Sequence, residues 1–116
     1  MSFKIIEIQS HHKGKIFVVN VQNEIVKILF SFHSIERINK WKTENEIVIE
    51  TLLFPEEVLS GHYERFIAHR RYDKHLLRAV YEYEDGLPML ITIYFPYSER
   101  YFLGNNIYED TILKRN

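Results

Sequence analysis

FIAHRRYDKHLLRAVYEY, residues 66–83, holds the apolar and aromatic residues of a sheet, yet two histidines, three arginines and a lysine interrupt it. Asp73 and Lys74 suit a two-residue turn. Such a turn pairs Tyr72 with His75 and, counting back along the ladder, sets His69 opposite Arg78. Period-two alternation then puts Ile67, His69 and Arg71 on the face that carries Leu76, Arg78 and Val80. Like charges opposite one another destabilise a sheet, so an anion is expected among them, either a carboxylate from elsewhere in the chain or a ligand phosphate.

Outward from this hairpin, EEVLSGH before it and PMLITIYFP after it also read as strands, with EDGLP as a turn, which makes an antiparallel meander. Upstream the period changes. Phe32, Ile35 and Ile38 keep helical spacing, while His33, Arg37 and Trp41 fall at successive i,i+4 steps on another face. Thr43 followed by ENE marks a second helix start, with Ile47, Val48, Thr51 and Leu52 as its stripe and Pro55 beyond its end. Further back, FKIIEIQ and KIFVVNV flank HHKG as a hairpin, and EIVKILF (24–30) is a third strand candidate whose Glu24 and Lys27 would suit a helix equally well. Strands, two helices, then strands predict an α+β fold: two helices packed on a twisted antiparallel sheet made chiefly of residues 57–95.

At 116 residues, 46% of them hydrophobic, the chain makes one domain, residues 1–116, with a single core. No apolar run is long enough for a membrane span. MSFKIIEIQS carries Lys4 and Glu7 inside its apolar segment, which argues against a secretory signal and leaves the cytoplasm as the expected compartment. The absence of cysteine removes disulfides, thiolate zinc sites and cysteine nucleophiles. The histidines form no HxH or HxxxH pair, so no metal and no cofactor are expected. The formal charge of -1 conceals a basic centre: Arg65, Arg70, Arg71, Lys74 and Arg78 face only Glu64 and Asp73 between residues 62 and 78. That pattern suits local phosphate contact rather than long-range attraction to a polyanion.

FHSIERI (32–38), FPEEVL (54–59), the basic strand and LLRAVYEYEDGLPMLITIYFP (76–96) together resemble the small toxin-like domains related to BrnT and RelE, over about residues 31–101. The resemblance implies a metal-independent ribonuclease of a toxin–antitoxin pair, with RNA and a cognate antitoxin protein as partners. Carried onto this chain, it implies His33, Arg37 and the hairpin arginine Arg78 as site residues, and Tyr97, Arg100 and Tyr101 as an aromatic and basic RNA-binding end. The segment before Phe30 is longer than such minimal toxins need.

Metal-free RNA cleavage requires a base for the 2′-hydroxyl, an acid for the leaving 5′-oxygen and cations around the phosphorus. His33 and His69 supply the proton-transfer chemistry, Arg37 and Arg78 complete the catalytic set, and Arg70 and Arg71 join the phosphate contacts. The plainer alternatives are a solvated helix face for His33 and Arg37, and ion pairs to Glu82, Glu84 or Glu99 for Arg71 and Arg78. A second functional class is a non-catalytic interaction module whose aromatic segment YFPYSERYF (94–102) meets a protein partner or a second copy of the chain as a homodimer.

Overall fold

The structure, a computed structural model, describes residues 2–97 and 107–115. It begins with an antiparallel meander of β1 (Lys4–His11), β2 (Gly14–Val21) and β3 (Glu24–Ser31). EIVKILF is strand because Val26, Ile28 and Phe30 alternate into the core while Lys27 stays exposed. Gln22 and Asn23 both take positive φ, 52° and 69°, so the β2–β3 link is the two-residue turn that matches strand twist. Gly14 lies so close to β3 that a Cβ there would fall 1.8 Å from the Phe30 carbonyl oxygen.

Ser31 ends β3 and caps α1 (Phe32–Trp41), its Oγ accepting from the Ser34 N–H at 3.1 Å and donating to the Ile91 carbonyl at 3.2 Å. Lys42 closes that helix in the left-handed region, φ 55°. α2 (Asn45–Leu53) begins one residue later than the Thr43 cap anticipates: Glu44 is the N-cap, and its side chain makes no cap bond. Both helices lie where residues 32–54 predict them.

The rest of the sheet is β4 (Glu57–Ser60), β5 (Phe66–Tyr72), β6 (His75–Glu84) and β7 (Leu87–Tyr94). Tyr72 pairs with His75 and His69 with Arg78, the register read from the Asp73–Lys74 turn. The architecture as a whole corrects the expected fold class. Among the described residues seven strands form one sheet in the order β1-β2-β3-β7-β6-β5-β4, and β3 runs parallel to β7 through Leu29↔Met89 and Phe30↔Leu90. The fold is mainly β with a mixed sheet, not two helices on an antiparallel sheet built from residues 57–95. The physical reason is that the N-terminal meander has its own apolar face, and Phe17, Val19, Ile28 and Phe30 bury it only by extending the same core.

Both helices cover one face. Ile38, Val48, Ile49 and Leu52 meet Phe30, Ala68, Leu77, Ala79, Tyr81, Leu90 and Ile93 there. At the far edge, Val58 N–H donates to the Ile107 carbonyl (2.7 Å) and Glu109 N–H to the Val58 carbonyl (2.9 Å), which covers β4 with the segment leading to α3 (Ile112–Arg115). Asp110 on that segment is buried and accepts from the hydroxyls of Tyr81 and Tyr83, each at 2.6 Å. Among the described residues no helix is long and apolar enough to cross a membrane.

Candidate functional site

Strand pairing lines up four side chains in a row across the sheet: Glu57 on β4 opposite His69 on β5, His69 opposite Arg78 on β6, and Arg78 opposite Tyr94 on β7. Ala68, Leu77 and Ala79 face the helices, so alternation puts this row on the opposite face. His69 Nε2–H donates to Glu57 Oε2 at 3.2 Å, with both side chains fully enclosed. The Arg78 guanidinium lies 5.4 Å from the centre of the Tyr94 ring, a cation–π distance, and Arg78 is 5% exposed.

One pair further along β5, Arg71 places Nε and a terminal nitrogen on Glu56 Oε2 at 3.1 and 2.9 Å, while its backbone N–H donates to Glu56 Oε1 at 2.8 Å. Burial pushes the Glu56 carboxyl up, but the hydrogen bonds and charge of Arg71, with Arg70 behind, outweigh it and hold the group below its ordinary 4.5. The anion expected among the basic residues therefore includes the consecutive carboxylates Glu56 and Glu57. Sequence reasoning missed both as partners. The signal was the EE pair after Pro55, but its partners lie 12 and 15 residues away and only the β4–β5 register joins them.

Burial pushes the His69 imidazole below its ordinary 6.5; Glu57 opposes that shift, Arg78 reinforces it, and Glu56 opposes it weakly. The folded chain takes up a proton at His69 less readily than the unfolded chain, whose imidazole titrates near the ordinary 6.5. The stability tied to neutral His69 is therefore intact above that value and lost as pH falls below it. The denaturation midpoint is expected to drop from about pH 7 to about pH 5, with a shallower slope in His69→Gln. Parallel slopes for the two proteins would show that His69 does not carry the effect.

Arg70 faces the helices instead. Its guanidinium donates to the Phe54 carbonyl at the end of α2, and Nε is 3.6 Å from Glu50. Period-two alternation thus separates Arg70 from Arg71, and Arg70 ties a helix C-terminus to the sheet. The ion pairs expected for Arg71 and Arg78 are also redistributed: Glu82 is 3.8 Å from Arg65, and Glu84 bonds Lys13. Glu99, Arg100 and Tyr101 lie outside the described residues.

His33 and Arg37 are on the other side of the molecule, on the exposed face of α1. Arg37 Nε donates to His33 Nε2 at 3.5 Å, and with Glu36 and Lys40 they line a depression of about 170 Å³. The four residues assigned to catalysis from sequence therefore form two pairs on opposite faces of the sheet: His33 is exposed and Arg37 half-buried, whereas His69 and Arg78 are buried. One turn beyond Arg37, Trp41 sets its edge on Phe95 with ring centres 5.3 Å apart and opens a groove of about 520 Å³ that also takes in Tyr72 and His75. His75 in turn stacks on Tyr97 at 4.7 Å, with Tyr97 57% exposed. Comparison with known proteins finds no matching family model, no matching curated protein and no matching solved structure.

Proposed function

We propose that the chain binds single-stranded RNA along the exposed face of α1 and cleaves it without a metal, in the manner of the toxin ribonucleases its helix motif resembles. The observation that carries this reading is the depression on α1, where His33, Glu36, Arg37 and Lys40 meet within about two helical turns. Arg37 and Lys40 are the cations for a phosphate, and His33 and Glu36 are the side chains of proton-transfer type. A phosphate that takes over the Arg37 guanidinium releases His33 Nε2 to act on the substrate. The 2′-oxygen then bonds to phosphorus as the P–O5′ bond breaks. One of the two proton-transfer groups accepts the 2′-hydroxyl proton and the other, protonated, supplies the 5′-oxygen. The products are a 2′,3′-cyclic phosphate and a 5′-hydroxyl end. Trp41, Phe95 and the His75–Tyr97 stack offer planar surfaces for the bases beside that phosphate. A cognate antitoxin would inhibit by covering this face.

The test uses the purified full chain, a labelled single-stranded RNA of mixed sequence, a chelator and low salt. Arg37→Ala is expected to weaken binding about tenfold by removing a charge-assisted phosphate contact. His33→Gln should keep binding and lower cleavage about 100-fold. Binding unaffected by Arg37→Ala would sink the proposal. RNA binding with no cleavage, or no interaction with RNA at all, would favour an interaction module that uses exposed Trp41 and Tyr97.

A further inference from the structure

We infer that the groove at the end of α1 is a guanine-selective base site, with Glu44 reading the base edge. The inference rests on the proposed RNA-binding face and specifies the base recognised beside it. Trp41, Tyr72 and Phe95 give the groove its planar apolar walls, and Lys42, Glu44 and Asp73 supply its charged groups. A stacked base suits the first set and a phosphate does not suit the second, because two carboxylates repel it. The phosphate belongs instead to Arg37, one helical turn and about 5.4 Å of rise before Trp41, which is within reach of an adjoining base.

Glu44 lines this groove with a carboxylate that makes no cap bond. It holds the N-cap position of α2, where an oxygen-bearing side chain normally accepts from the helix. Glu44 is exposed and lines the groove two residues from Lys42. A cation and a carboxylate lining the same groove, Lys42 and Glu44, match a single Watson–Crick edge. Guanine presents the O6 acceptor followed by two adjacent donors, N1–H and N2–H₂, so Lys42 can donate to O6 while both Glu44 oxygens accept. Adenine and cytosine set an acceptor beside their amino group, and uracil sets its one N–H between two carbonyls. Each of these would turn a lone pair towards the carboxylate. A bidentate pair of this kind is worth about a tenfold preference or more.

Guanosine is the deciding probe because it lacks a phosphate and reports on the groove without Arg37. Calorimetry with the full chain, supported by the fluorescence of Trp41, the sole tryptophan, should give guanosine at least about a tenfold lower Kd than adenosine, cytidine or uridine. Inosine, which lacks N2–H₂, should lose most of that preference, and so should Glu44→Gln. Arg37→Ala should weaken RNA while leaving guanosine binding in place. Equal affinity for all four nucleosides, or guanosine preference that survives Glu44→Gln, overturns the base site even if RNA still binds through Arg37. Guanosine binding that persists when Arg37→Ala leaves RNA binding unchanged would uphold the groove and remove the α1 reading.

Discussion

Gly14→Ala is expected to destabilise the chain severely. The added Cβ would meet the Phe30 carbonyl oxygen at 1.8 Å, the Phe30 carbonyl carbon at 2.8 Å and the Ser31 Cα at 3.0 Å, all of them backbone atoms in a paired strand. No side-chain rotation relieves such a contact, so β2 and β3 must separate locally. The disturbance falls on Ser31, whose hydroxyl caps α1 and bonds the Ile91 carbonyl, and on Phe32, whose N–H donates to the Lys13 carbonyl at 3.1 Å. A strand register, a helix cap and the junction to β7 would be strained together. We expect a loss of about 4 kcal/mol or more, a large fraction of the roughly 5–15 kcal/mol that stabilises a domain. Gly61→Ala is the control, because its nearest neighbour is the Arg65 carbonyl oxygen at an ordinary 3.5 Å and it should cost about 1 kcal/mol or less. Denaturant titration followed by circular dichroism measures both. A Gly14→Ala midpoint equal to that of the parent would show that β2 and β3 do not approach as described.

The second large effect is expected at Glu57. Alanine there removes the carboxylate that accepts from His69 Nε2 and leaves a polar ring with a lost contact in a fully enclosed place, beside the cation of Arg78. Leaving a buried polar group without its partner costs about 1–3 kcal/mol, since the ring keeps its desolvation penalty without the compensating bond. Glu57→Gln should cost less because its side-chain oxygen can still accept. Converting both members, in Glu57→Leu with His69→Leu, should recover part of the loss, as the enclosed position then holds apolar groups. A single Glu57→Ala change that lowers stability by less than about 1 kcal/mol would show that the row across the sheet contributes little to the fold.

The sequence carried some of these features because they are local. The Asp73–Lys74 turn fixes the β5–β6 register within a few residues, and the i,i+4 steps of His33, Arg37 and Trp41 declare a helix face directly. Sheet order is different. That β3 lies beside β7 depends on two strands about 60 residues apart, and the alternation of Val26, Ile28 and Phe30 says which side chains are buried without saying beside which strand. The same limit explains the candidate site. Side chains of suitable chemistry were identified by type, but whether His33 and His69 share a face depends on which side of the sheet the helices cover. Glu56 and Glu57 answer the positive charge of residues 66–83 through cross-strand pairing, which leaves no periodic trace. The shift of the α2 cap from Thr43 to Glu44 is a smaller case, decided by where the left-handed Lys42 redirects the chain.

The parallel pairing of β3 with β7 has a consequence for how the molecule is made. Among the described residues β7 is the last strand of the sheet in chain order, yet it occupies the middle position of the seven. As the chain emerges from a ribosome, β1–β3 can form their meander early, but the inner edge of β3 must wait for Met89 and Leu90. Until then two incomplete sheets coexist, each with an open edge beside strongly apolar strands. Closure between them is a long-range event of the kind that slows folding. A nascent chain stalled before β7 would be a sticky intermediate, with the open edges of β3 and β6 free to pair with strands of another chain.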